Sequence, residues 1–220
     1  MREILALGIP AMLAQASLPV LNIGETAMIG RLSAEALAAR AIGAAIIGTV
    51  YWIFAFLTFG TTSLIGQRYG AKDFKACGET YVHALFLALV GGLLIAAAGA
   101  LGAEPLYRVM GADSAVVSQG AGYFRLYILS APLTLATYCS IGFYRGVQNS
   151  RVPMLIAFMI TAMQLTMDYT LIYGRFGQPA LGLVGAAVAA CCSQFAGAMV
   201  YMELFFYSAE TRKYRALSWR

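Results

Sequence analysis

Pro153-Met-Leu-Ile-Ala-Phe-Met-Ile-Thr-Ala-Met-Gln-Leu-Thr-Met-Asp-Tyr-Thr-Leu-Ile-Tyr173 is the stretch on which the fold turns. It is long enough to cross a bilayer, which takes about 20 mostly apolar residues, and it carries one acid, Asp168, among Met, Leu and Ile. Working outward, five more apolar runs of similar length occupy residues 4–29, 36–64, 81–101, 122–143 and 183–206. Turn chemistry separates the runs: Gly70-Ala-Lys-Asp73, Gly102-Ala-Glu-Pro105, Gly111-Ala-Asp113, Gln148-Asn-Ser-Arg151 and Gly177-Gln-Pro-Ala180. A membrane β-barrel would show short alternating segments instead. The expectation is an all-α integral membrane protein: a six-transmembrane-helix bundle over residues 1–206, then a basic cytoplasmic tail or linker over 207–220.

The composition agrees. Hydrophobic residues make up 60% of the chain and charged ones 11%, with a mean hydropathy of +0.73, against roughly 25% charged in soluble domains. Disordered, collagenous and disulfide-stapled secreted classes do not fit such numbers. The net charge of +5 does not point to nucleic acid, because the basic residues lie between apolar runs, where they act as topology signals. With the N-terminus inside, Arg2, Arg68, Lys72, Lys75, Arg145, Arg151, Arg212, Lys213, Arg215 and Arg220 are cytoplasmic, leaving Arg31, Arg40, Arg108, Arg125 and Arg175 outside. That asymmetry predicts both termini in the cytoplasm. The tail 208–220, with Tyr214 and Trp219, is expected along the anionic inner leaflet, and Glu203 is expected to pair with it. Cys77, Cys139, Cys191 and Cys192 form no C-x-x-C pair and read as buried thiols.

Ionisable groups inside spans cost roughly 2.5–3.5 kcal/mol each at the helix centre, so each needs a reason. In the first span Gln15, Asn22 and Glu25 share a helical face; in the fifth, Thr161, Gln164 and Asp168 do. Both acids lie at similar depth near the outer ends of their helices. Two carboxylates in one low-dielectric pocket do not both stay charged without compensation. Either one carries a proton or a cation neutralises the pair, which makes a proton or sodium site. The residues leave a second reading open, in which each acid reaches the nearby interface or caps a neighbouring helix. Arg40 and Arg125 read as markers of the outer interface, and His83 as structural. Met159, Met163 and Met167 form a stripe that suits packing or a permissive apolar pocket. Pro19 and Pro132 weaken the helical ladder and permit bends. The sequence offers no nucleophile motif, no Gly-rich phosphate loop with Lys and no H-E-x-x-H, so an enzyme is not expected.

Family-like motifs then align in order. Asn22-Ile-Gly-Glu-Thr-Ala-Met-Ile-Gly-Arg-Leu-Ser33 followed by Ala36-Leu-Ala-Ala39, Gly66-Gln-Arg-Tyr-Gly-Ala-Lys-Asp73, Tyr144-Arg-Gly-Val-Gln-Asn-Ser-Arg-Val-Pro-Met154, and Asp168-Tyr-Thr-Leu-Ile-Tyr-Gly174 with Pro179-Ala-Leu-Gly182 span essentially the whole chain. Together they resemble the N-terminal lobe of multidrug and toxic compound extrusion (MATE) transporters, with Asp168 favouring the DNA-damage-inducible, DinF-like branch. The resemblance implies a cation-coupled exporter of amphipathic, often cationic compounds. It implies a cation site at Glu25 and Asp168, helped by Asn22 and Gln164, for H⁺ or Na⁺. No other cofactor is implied. Thr161, Met163 and Gln15 are the expected substrate-cavity residues. Glu25 departs from the family's Asp by one methylene, and Ala190 stands where a Thr often appears. The family has twelve helices in two lobes, so the expected partners are the bilayer, small drugs and a C-terminal lobe or second copy. The competing readings are a lipid-linked saccharide flippase, which should show cationic rather than acidic cavity groups, and a non-transporting scaffold.

Overall fold

The computed structural model describes residues 2–175, 177, 179–207 and 214, with backbone alone at 2–7. Every element among the described residues is helical. The order is α1 (Arg2–Ile29), α2 (Ala34–Ile53), α3 (Phe56–Gly70), α4 (Phe74–Val109), α5 (Ser114–Ile128), α6 (Ala131–Gly146), α7 (Arg151–Tyr173) and α8 (Leu183–Tyr207). These make six membrane-length rods. Four of them, Ala34–Gly70 (α2 with α3), α4, α7 and α8, are long and apolar enough to cross a membrane, and α5 with α6 forms a fifth, bent by 47°. α1 has 28 residues, about 42 Å at 1.5 Å per residue.

Local chemistry sets the helix ends. Ser33, Asp73 and Asp113 are N-caps whose side chains accept from the backbone N–H of Ala36, Ala76 and Val116, each satisfying a donor that the first helical turn leaves open. The Asp73 and Asp113 caps explain why α4 and α5 begin well before the apolar runs at 81 and 122. The expected turn at Gly102-Ala-Glu-Pro105 is instead helical, inside the 36-residue α4. Glu104 there is held by Arg125 at 2.9 Å, with Arg108 at 4.0 Å, and the Arg125 side chain is half-exposed. The α5–α6 bend falls at Leu129–Ser130, with Pro132 in the first turn of α6, where its missing N–H costs nothing. α1, by contrast, continues through Pro10 and Pro19. A further break at Phe54–Ala55 separates α2 from α3 without Pro or Gly, and the ladder there tightens to Ala55 N–H→Trp52 C=O and Leu57 N–H→Phe54 C=O.

Large apolar side chains face outward as well as into the core. Leu101, Val109, Phe86, Leu94 and Leu155 are exposed, while Ser130, Ser140, Gln164, Asp168 and Ser193 are buried; with lipid as solvent, interior polar groups mark helix contacts or function. α6 packs on α3 and α4, α7 on α8, and α1 on α7. At the α4–α6 crossing a Cβ on Gly92 would lie 2.3 Å from Pro132 Cα, so only glycine allows this approach. Near the start of α4, Tyr81 stacks with Phe143 and Phe205 at centroid separations of 4.7 and 4.6 Å, and its hydroxyl lies 2.7 Å from Ser140 Oγ. Tyr214 joins this cluster, 5.4 Å from Phe143 and 5.9 Å from Phe74, and is buried. The expectation that it lies along the leaflet is thereby corrected: its ring finds aromatic partners in the bundle. The rest of the tail, including Arg212, Lys213, Arg215, Trp219 and Arg220, and therefore any pairing with Glu203, lies outside the described residues. Cys77 and Cys139 are buried, Cys191 and Cys192 half-buried, and all four are free thiols.

Candidate functional site

The site grows from the α1–α7 contact. A Cβ on Gly24 would lie 2.5 Å from Leu165 Cδ2, so the two helices touch closely at this level, and the next residue on α1, Glu25, meets the preceding residue on α7, Gln164. Gln164 Nε2 donates to Glu25 Oε1 at 2.7 Å. The other carboxylate oxygen, Oε2, accepts from Arg40 Nη2 of α2 at 2.6 Å. The same guanidinium reaches Asn22 Oδ1 at 3.1 Å and Thr26 Oγ1 at 3.0 Å. Glu25 is 6% exposed, Arg40 8% and Gln164 2%. A charge-assisted pair with satisfied neighbours can persist at such depth, where an unpaired charge would be strongly destabilising.

Asp168 lies one turn beyond Gln164 on α7 and has no exposed surface. Neither of its carboxyl oxygens has a hydrogen-bond partner. Burial of a bare carboxylate in a medium of low polarity is among the costliest arrangements a side chain can take.

Beside the cluster lies a cavity of about 510 Å³. Gln15, Asn22, Glu25, Arg40 and Gln164 line its polar part. Tyr51, Tyr123, Tyr127 and Tyr138 add an aromatic wall, and Arg145 lies along the lining from α6. Trp52 and Phe59 also line it while 79% and 68% exposed, so the cavity is open on one side. α1 and α2 barely touch, which leaves room for it.

Gln15, Asn22, Glu25 and Gln164 are thus brought together around the cavity, whereas Asp168, expected to face it together with Glu25, is not in its lining. Asp168 sits behind them, fully enclosed. Thr161 is buried and Met163 half-buried on α7, and neither lines this cavity. Arg40 requires a correction. It is not a marker of the interface but the buried partner of Glu25. Its signal was available: Glu25 lies four residues before the end of α1 and Arg40 six after the start of α2, so a tight hairpin sets them at one depth. The four cavity tyrosines were also not singled out, because an aromatic in an apolar run carries no mark of which way it faces. With Arg40 and Arg145 in the lining, the cavity is not purely acidic.

These features define a class: a polytopic helical membrane bundle with a compensated ion pair and an uncompensated acid beside an open cavity. The MatE family model matches residues 10–170, and the chain belongs to the MatE family. It is 30% identical over 195 residues to the DNA damage-inducible protein F of Escherichia coli (strain K12), covering 88% of this chain and 42% of that protein. It is 26% identical over 212 residues to the probable multidrug resistance protein NorM of Thermotoga maritima, covering 95% and 45%. Among solved structures, an outward-facing multidrug resistance MATE family transporter of the MOP superfamily superposes with a TM-score of 0.87 at 26% identity, covering 95% of this chain and 46% of that one. A MOP superfamily transporter from Pyrococcus furiosus, described as having a binding pocket of reverse polarity, superposes with a TM-score of 0.87 at 25% identity. The chain spans less than half the length of these curated relatives and corresponds to one lobe of the solved transporters.

Proposed function

We propose that the chain is the N-terminal lobe of a cation-coupled multidrug antiporter of the inner membrane, with both termini cytoplasmic, exporting amphipathic, often cationic compounds. The observation that carries this reading is Asp168: an enclosed carboxyl without a partner, one turn from Gln164 and the Glu25–Arg40 pair, next to a half-open aromatic cavity. Binding and release of a cation at Asp168 changes the charge buried between α1 and α7. A change of that size alters how the two helices pack, which is how a local event biases a two-state bundle. Alternating access by rocking needs a second bundle, and the open side of the cavity, walled in part by exposed Trp52 and Phe59, is the face a C-terminal lobe would cover.

The names of the relatives support the drug-efflux part of this reading. The test is flux of an amphipathic cationic dye from liposomes holding this chain with a C-terminal lobe, under an imposed ion gradient. Gradient-driven efflux is expected. No flux in any pairing, including two copies of this chain, would mean a non-transporting scaffold. A second reading, a flippase for a lipid-linked saccharide, gains from Arg145: with Arg40 neutralised by Glu25, it is the cavity's remaining charge. Competition of dye flux by an anionic polyprenyl phosphate sugar would favour that reading.

A further inference from the structure

Around Glu25 the side-chain oxygens that could receive an incoming metal cation are already taken. Glu25 Oε2, Asn22 Oδ1 and Thr26 Oγ1 all accept from one guanidinium, at 2.6, 3.1 and 3.0 Å, and Glu25 Oε1 accepts from Gln164 at 2.7 Å. Those acceptors belong to successive turns of α1, and the donor that gathers them is tethered to α2. Arginine stays charged at any physiological pH, and its planar fork holds several acceptors at once. A hard metal cation is bound by collecting oxygens in the same way. Here the oxygens have been collected around a guanidinium.

We infer that Arg40 is a tethered cation that stands where a sodium ion would stand and excludes sodium from this cluster. This rests on the reading of the Glu25–Asp168 region as the coupling site, and it makes Arg40 the residue that decides which ion can couple. The charge count supports it. Glu25 is neutralised one for one by Arg40, so a sodium ion seated among the oxygens that Arg40 holds would meet the guanidinium's charge at close range in a low-dielectric interior. Asp168 supplies two oxygens with no hydrogen-bond partner, one turn along α7 from the cluster that Arg40 holds. The oxygens gathered around Glu25 therefore do not fit sodium while the guanidinium holds them. A proton needs no ligand shell and asks only for one free carboxyl oxygen.

The experiment is equilibrium binding of radioactive sodium to the purified full chain in detergent, at constant ionic strength. The wild-type chain and Arg40→Lys, which keeps the charge, should show no saturable binding. Arg40→Gln, which removes the charge but not the polarity, should gain saturable binding, at least roughly tenfold tighter than any residual wild-type signal, and Arg40→Gln/Asp168→Asn should lose it. An arginine that only held the fold together would cost stability without creating a sodium site. Saturable sodium binding to the wild-type chain that Asp168→Asn abolishes would overturn the inference. So would a monodisperse Arg40→Gln that binds no sodium. Saturable sodium binding to the wild-type chain or to Arg40→Lys overturns the inference whether or not Arg40→Gln stays monodisperse. Sodium binding by the wild-type chain would remove this role from Arg40 and leave Asp168-dependent efflux standing, whereas absent efflux would remove the transport reading alone.

Discussion

At the aromatic end of the bundle, Tyr81, Phe143 and Phe205 meet ring against ring, Tyr214 closes over them, and the Tyr81 hydroxyl has Ser140 to bond. At the polar end, Glu25 is satisfied by Arg40 and Gln164 while Asp168, equally buried, has nothing. The first region is packed and satisfied, as a structural core in lipid must be, with van der Waals contact doing most of the holding. The second places an uncompensated acid next to an open cavity, which no requirement of folding asks for. On the proposed function, the difference separates residues that hold the bundle from residues that use it.

Substitutions can break or sharpen that contrast. The largest losses of stability should come where buried groups lose a partner or a packed ring. Arg40→Met leaves Glu25 buried without its counter-charge and should cost about 3–5 kcal/mol, read as a lowered melting midpoint in detergent; adding Glu25→Gln should recover much of it. Phe143→Ala removes the ring at the centre of the aromatic cluster and should cost a similar ~3–5 kcal/mol, with no recovery from any change at the polar end. Tyr81→Phe keeps the ring and loses only the hydrogen bond to Ser140, so about 1 kcal/mol is expected. Asp168→Asn stands last: with no partner to lose, it should shift stability by less than about 1 kcal/mol or raise it. A large destabilisation there would show that Asp168 is a structural residue like those at the aromatic end.

Much of this was legible in the residues. The apolar runs gave six rods because membrane helices must carry about 20 apolar residues in sequence. Glu25, Gln164 and Asp168 stood out because polarity inside such a run is costly. The helix ends were less legible: α4 and α5 start at the Asp73 and Asp113 caps, outside the hydropathy window, and Pro105 sits within α4. The α2–α3 break at Phe54–Ala55 has no Pro or Gly to announce it. Arg40 was misplaced because a basic residue near a span's end usually faces the headgroups, and only its depth opposite Glu25 in the hairpin marks it as buried. Thr161 and Gln164 share a face of α7, yet one lines the cavity and the other does not. Helical periodicity says which residues look inward, but not which neighbour they meet.

Asp168→Asn in the two-lobe assembly gives the most direct test. Dye efflux from liposomes under an imposed proton gradient would be measured for the wild-type chain and this variant, each paired with the C-terminal lobe. Loss of gradient-driven efflux, with insertion unchanged and no large fall in melting midpoint, is the expected result. Efflux that stays gradient-dependent at the wild-type rate would contradict a coupling role for the buried acid.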